Sequence, residues 1–169
     1  MRIYLIGYMA SGKSNLGSRL AELLEYGFVD LDQMFEERYR ISVLSFFGKY
    51  DENAFRLIER SLLIETTTLE DVVIATGGGT PCFFDNMDVI RKAGLSVYLR
   101  WEVPDLVRRL QNVKKKRPLL KDTRPEDLEL KVREALEQRS IFYEQADLVV
   151  PGIDADPNNL IAVLKRHTE

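Results

Sequence analysis

At 169 residues, with 45% hydrophobic and 30% charged side chains, the chain can build one α/β domain with a sizeable core and is too short for two independent ones. Its 24 basic and 27 acidic residues give a net charge of −3, which excludes a general electrostatic attraction to nucleic acid or to an acidic membrane. The lone Cys82 cannot form an internal disulfide, and no apolar run approaches the roughly 20 residues of a membrane-spanning helix. With a first strand already under way at Arg2-Ile3, a cytoplasmic protein without a targeting segment is expected, and nothing in size or charge argues against a monomer.

Ile3-Tyr4-Leu5-Ile6 reads as a short buried strand, and Leu16, Leu20, Leu23 and Leu24 repeat at helical spacing from about Lys13 onward. Between them, Gly7-Tyr8-Met9-Ala10-Ser11-Gly12-Lys13-Ser14 fits G-x-x-x-x-G-K-[ST], the pattern of a loop that wraps nucleotide phosphates. Strand, glycine loop and helix are the arrangement this chemistry needs. The glycines let backbone approach the phosphates, successive N–H groups form an anion nest, and the helix adds the positive end of its dipole. Lys13 suits the β- and γ-phosphates, and the Ser14 hydroxyl suits Mg²⁺. The rival reading, a βα turn that binds nothing, does not account for the complete pattern in its correct setting.

Four further apolar runs read as strands: Phe28-Val29, Val72 to Ala75, Leu95 to Leu99, and Leu148 to Val150. Strands alternating with stretches long enough for helical crossovers indicate a parallel sheet covered on both faces, with ligands at the carboxyl ends of its strands. Asp30-Leu31-Asp32 falls at such an end. Two carboxylates there suit metal support and the binding of a substrate hydroxyl. The bland alternative is a polar turn in which Asp32 caps a helix over Gln33 to Arg38.

Ile41 to Asn53 reads as a small helical insertion. The helix after it carries Phe55, Ile58, Leu62 and Leu69 on an inner stripe, with Arg56 and Glu59 beside it. From the helix alone these two are a surface ion pair of little energetic weight. Gly77-Gly78-Gly79 directly follows the third strand. Three glycines cost chain entropy, so either a ligand or a tight turn before Pro81 requires bare backbone there. The same strand ends in Thr76 rather than an acid, so the metal-side carboxylate has to come from Asp30 or Asp32.

A helix from about Pro104 carries Arg108 and Arg109. Residues 114–121 then hold five cations, read either as a solvated basic loop or as a lid that brings Arg117 over the transferring phosphate. Pro118 keeps Arg117 out of helical conformation. In the next helix Leu128, Val132, Leu136 and Tyr143 form an inward stripe that also contains Arg139. A cation on that face needs an anion, from a distant Asp or Glu or from a ligand. His167, the single histidine, lies in the polar tail and is not expected to act in chemistry.

Taken together, Gly7 to Ser14, Asp30-Leu31-Asp32, Phe55-Arg56-Leu57-Ile58-Glu59, Gly77-Gly78-Gly79, Arg117-Pro118-Leu119-Leu120 and Arg139 with Tyr143 resemble the shikimate kinases over nearly the whole chain. The resemblance implies a single kinase domain over residues 1–169, with a five-stranded parallel sheet in order 2-3-1-4-5 of the nucleoside-monophosphate-kinase, phosphate-loop kind. It also implies a substrate-binding insertion at about 31–60 and a lid at about 112–124. The implied reaction moves the γ-phosphate of ATP to the 3-hydroxyl of shikimate, with Mg²⁺ held through Ser14 and Asp30. Lys13, Asp32 and Arg117 are the implied catalytic residues. Asp32, Arg56, Gly78, Gly79 and Arg139 are the implied shikimate contacts, the two arginines taking its carboxylate. Ala10, Ser11, Gly12, Lys13, Ser14, Asn15, Arg109, Arg117 and Pro157 are the implied ATP contacts.

Two positions depart from the family pattern. Asn15 stands where a Thr is usual, and Asp154 and Asp156 occupy a loop that is basic in some relatives. A gluconate kinase of the same fold should not need Arg56, the triple glycine and Arg139 together. A GTPase switch lacks its Asn-Lys-x-Asp signature here, and a non-catalytic binding module would not need Lys13, Ser14, Asp32 and Arg117 all present.

Overall fold

The computed structural model describes residues 1–114, Lys114 by its backbone alone, and residues 123–168. Strands β1 (Arg2–Ile6), β2 (Gly27–Asp30), β3 (Val72–Ala75), β4 (Leu95–Arg100) and β5 (Leu148–Pro151) form one parallel sheet in the order β2-β3-β1-β4-β5. The sheet class and strand order match those expected. Helices α1 (Lys13–Leu24), α2 (Leu31–Tyr39), α3 (Val43–Lys49), α4 (Glu52–Thr66), α5 (Asn86–Ala93), α6 (Val103–Lys114), α7 (Pro125–Tyr143) and α8 (Pro157–Thr168) connect and cover it.

Two apolar layers form because successive strand residues point to opposite faces. Tyr4 and Ile6 join Ile74 and Tyr98 in a layer with Leu62, Ile90, Leu110 and Val132 from the crossover helices. Ile3 and Leu5 join Val73, Val97 and Val150 under Leu16 and Leu20 of α1 and Leu160 of α8. Each fully buried aliphatic side chain contributes about 1.5–3 kcal/mol, so the layers fix the sheet firmly.

Register then places the functional ends. Leu5 lies opposite Ala75, and Asp30 lies opposite the same Ala75. The carboxyl ends of β2, β3 and β1 are therefore nearly level. The phosphate loop, the Asp30–Asp32 segment and the triple glycine leave the sheet side by side, although they are far apart in sequence.

Three local expectations change. The N-cap of α2 is Asp30, not Asp32: the helix starts at Leu31 rather than Gln33, and the Asp30 side chain accepts the Asp32 and Gln33 N–H groups at 3.0 and 3.2 Å. Leu69 is not on the α4 stripe. The helix ends at Thr66, and Leu69 is exposed beyond it, while Leu63 is fully buried in its place. His167 lies in the last turn of α8.

Candidate active site

Both glycines of the phosphate-loop pattern take positive φ, which glycine adopts without a Cβ clash, and Ala10 between them takes it at a steric cost. Gly7 has φ 150°, Ala10 φ 60° and Gly12 φ 92°, and Gly12 is the N-cap of α1. Lys13 is 8% exposed. Its ammonium donates to the carbonyls of Gly7 at 2.8 Å and Tyr8 at 2.9 Å, and to the Ser11 hydroxyl at 3.3 Å. Burial pulls the Lys13 pKa down to about 8, against the attraction of Asp32 and Asp30. Lys13 thus lies along the loop it belongs to.

Asp30 is oriented by its capping role. One carboxylate oxygen takes the two N–H groups of α2, and the other accepts the Ser14 hydroxyl. The capping bonds aim the carboxylate, and the level ends of β1 and β2 on either side of β3 bring the Ser14 hydroxyl to it. Asp32 lies open to the cavity but among enough protein atoms to lose hydration. That desolvation, reinforced by Asp30 and Glu59 against the pull of Lys13, pushes its carboxyl up to about 6.

Arg56 and Glu59 overturn the reading as a surface pair. They are 7% and 3% exposed, and Arg56 Nη1 donates to Glu59 at 2.8 Å. The burial comes from a distant segment: the Phe83 ring lies 4.2 Å from the Arg56 guanidinium carbon, with Phe55 at 5.3 Å on the same helix. Thr80 Oγ1 donates to the second Glu59 oxygen at 2.8 Å, and Arg56 also reaches Glu52 at 3.2 Å. Glu52 was legible from its i,i+4 spacing to Arg56, whereas Phe83 and Thr80 had no signal of their own, because a helical spacing does not say what covers it.

The triple glycine is explained by space, since none of its members has a positive φ. A Cβ at Gly77 would stand 3.0 Å from Glu59 and 3.1 Å from Asp32. At Gly79 it would stand 2.5 Å from the Arg56 guanidinium, and at Gly78 it would stand 3.2 Å from the Met9 nitrogen and 3.4 Å from Arg139 Nη1. Bare backbone lets two guanidinium groups and the phosphate loop close on one strand end.

Arg139 is half-buried over the Tyr8 ring at 5.6 Å. Glu144, at the C-cap of α7, pairs instead with Arg100, and among the described residues no carboxylate pairs with Arg139. Tyr143, one helical turn further on, donates its hydroxyl to the Gly78 carbonyl. On the opposite side Arg109 lies 4.4 Å over the Trp101 ring and donates to the Ala10 carbonyl at 2.6 Å.

These side chains surround two adjoining cavities. One, of about 710 Å³, is lined by Asp32, Arg56, Glu59, Gly78, Gly79 and Arg139, among others. The second, of about 480 Å³, is lined by Ala10, Gly12, Lys13, Ser14, Asn15 and Arg109, among others. Met9, Ser14, Asp30, Asp32 and Gly78 line both. Ser11 is buried behind the loop, and Pro157 is buried as the first residue of α8 and lines neither cavity. Arg117 and most of the expected lid lie outside the described residues.

A phosphate loop at the end of a central parallel strand, with a second cavity joined to it across an acidic pair, defines a phosphate-loop kinase of small molecules. The chain belongs to the shikimate kinase family, whose sequence profile matches residues 9–167. The shikimate kinase of Parabacteroides distasonis is 45% identical over 87% of this chain and 85% of its own. The crystal structure of the shikimate kinase from Bacteroides thetaiotaomicron superposes with a TM-score of 0.86 at 36% identity, covering 98% of this chain and 95% of that one. The Acinetobacter baumannii enzyme, solved in complex with shikimate, superposes with a TM-score of 0.85 at 32% identity over 99% of this chain and 95% of its own.

Proposed function

We propose that the chain phosphorylates the 3-hydroxyl of shikimate with ATP, giving shikimate 3-phosphate and ADP. The observation that carries this reading is the pair of guanidinium groups over adjacent glycines, Arg56 at Gly79 and Arg139 at Gly78, in the cavity that meets the phosphate loop. Two fixed cations suit one carboxylate on a small acceptor, and Arg139 lacks a carboxylate of its own among the described residues. Gluconate also carries a carboxylate, but family membership favours shikimate.

Little covalent work falls to the protein in phosphoryl transfer; it aligns the reactants and stabilises charge. In this reading Lys13 leaves the loop carbonyls for the phosphates, and the loop N–H groups hold the rest of the triphosphate. Arg56 and Arg139 fix the acceptor carboxylate, with Glu59 holding the Arg56 guanidinium in plane. Asp32 accepts a hydrogen bond from the reacting hydroxyl and takes its proton. Arg109 and the start of α8 at Pro157, with the loop before it, form the adenine side. Arg117 adds positive charge from the lid at about 112–124, and the insertion at about 31–60 forms the acceptor wall.

Ser14 and Asp30 fit Mg²⁺, which favours hard oxygen ligands and uses one or two protein groups together with substrate phosphates. Held there, the ion would supply positive charge against the triphosphate. The single half-buried Cys82 suits a reducing cytoplasm, and among the described residues no helix is long and apolar enough to cross a membrane. The described walls of both cavities come from one chain, which suits a monomer.

A coupled ADP-release assay with shikimate, quinate, gluconate and nucleoside monophosphates tests the reading. Shikimate should accelerate ADP release far more than the others. No acceleration by shikimate overturns the acceptor assignment while leaving the nucleotide site standing.

A further inference from the structure

Trp101, the only tryptophan of the chain, follows β4 and has no part in the chemistry described above. Its indole Nε1–H donates to the Ser11 carbonyl at 3.0 Å. The Arg109 guanidinium lies 4.4 Å from its ring, and the same guanidinium donates to the Ala10 carbonyl at 2.6 Å. Gly152, directly after β5, lies so close that a Cβ there would overlap the indole. One side chain therefore touches the phosphate loop, the helix bearing Arg109, and the start of the segment that leads into α8.

The contacts have a direction. A trans peptide unit is planar, with its C=O and N–H pointing opposite ways. The Ser11 carbonyl shares its unit with the Gly12 N–H. A donor that pins the carbonyl from outside the loop sets the plane in which that N–H faces inward. Gly12 is in left-handed conformation at φ 92°, where its own backbone preference does not select one orientation. Arg109 fixes the preceding unit through the Ala10 carbonyl; the Ser11 N–H of that unit closes the turn of the loop onto the Tyr8 carbonyl at 3.2 Å, and the aromatic face holds Arg109 in place. Gly12 and Arg109 both line the phosphate-loop cavity.

We infer that Trp101 is a positioning residue for the nucleotide: it holds the Ser11 and Ala10 carbonyls of the phosphate loop, the first directly and the second through Arg109, so that the loop is shaped for phosphate before ATP arrives. The inference rests on the nucleotide-binding half of the function proposed above and is independent of the acceptor. Gly152 is its counterpart, leaving the room in which the indole lies.

The test is calorimetric titration of MgADP and, separately, of shikimate into the wild type and Trp101→Phe, with melting temperatures alongside. Phenylalanine keeps a ring under Arg109 and removes the N–H donor together with the second ring of the indole, a packing loss that the melting temperature reads. The affinity for MgADP should fall about 3- to 10-fold, the range of one net hydrogen bond, while shikimate affinity stays within about twofold. Trp101→Leu, which also removes the aromatic face, should weaken MgADP by a further two- to fivefold or so. Gly152→Ala, which displaces the indole, should reproduce the same selective loss. Unchanged MgADP affinity in Trp101→Phe overturns the inference. So does a parallel loss of MgADP affinity, shikimate affinity and melting temperature, which would mark a purely structural residue. A wild type that binds MgADP and fails to phosphorylate shikimate overturns only the acceptor assignment, and the MgADP comparison still decides the role of Trp101.

Discussion

Asp32 and Lys13 are both drawn toward neutrality, one pushed up to about 6 and the other down to about 8, and both have burial as the largest cause. A hydroxyl-side base must be ionised to accept a proton, so kcat/KM for shikimate should fall as pH drops through about 6. Asp32→Asn should abolish that acidic limb together with most of the activity. An intact limb in the variant would assign it to another group. Stability carries the opposite sign. The native carboxyl holds its proton up to about 6, whereas in the unfolded chain it ionises near 4, so folding loses support as pH rises through that window. Asp32→Asn should therefore melt higher than the wild type at pH 7.5 and lose that advantage near pH 4, a contrast thermal unfolding at the two pH values reads directly. The sequence showed which residues stand at the strand end, because motif and spacing are local. It could not show their pKa values, because Glu59, one of the charges that raises Asp32, belongs to a different helix.

At the scale of elements, α4 and the turn after β3 act as one clamp. Phe83 covers Arg56, Thr80 holds the far oxygen of Glu59, and Gly79 leaves the space that the guanidinium fills. A reading of α4 by itself gave an exposed pair worth well under 1 kcal/mol. The clamp turns it into a buried pair in which loss of one partner strands the other. Glu59→Ala should cost about 3 kcal/mol or more, measurable by chemical denaturation, with Glu52 unable to make up the difference because it is itself exposed. A cost below about 1 kcal/mol would show that solvent reaches the pair after all. Gly79→Ala addresses function instead. Its Cβ would meet three guanidinium atoms at 2.5 to 2.8 Å, and the clamp leaves Arg56 little room to move. The KM for shikimate should rise about 10-fold or more, with KM for ATP within twofold, as expected when one charged contact is displaced. Helix starts were legible only in part. Asp30 and Asp32 are both good caps by composition, and the choice between them depended on where β2 ends, which its pairing with β3 decides.

Over the whole molecule, the sheet register turns separate motifs into one site. Periodicity was enough to find five strands and their parallel arrangement, since β1 and β3 are apolar almost throughout and crossover helices lie between. The lateral order 2-3-1-4-5 is not written in any local pattern. It was accessible only through the combination of motifs that resembles a known family, and it is what brings β3 between the phosphate loop and the acidic pair. Gly78 is where that order has its sharpest consequence. It lines both cavities, and its carbonyl accepts the Tyr143 hydroxyl from α7. A Cβ added there would press on the Met9 backbone nitrogen at 3.2 Å and on Arg139 at 3.4 Å. Arg139 can yield, because it is the far end of a flexible side chain. Met9 cannot yield without moving the phosphate loop, since its backbone is part of the turn that follows β1. Gly78→Ala should therefore raise the KM for ATP as well as the KM for shikimate, each by about 10-fold, because displacement of binding groups by a fraction of an ångström is costly in a preorganised site. The contrast with Gly79→Ala makes the measurement decisive: adjacent glycines with the same substitution should give a two-substrate defect and a one-substrate defect. Steady-state kinetics with each substrate varied in turn reads both, and a Gly78→Ala enzyme impaired toward shikimate alone would mean that the two cavities are mechanically separate at β3.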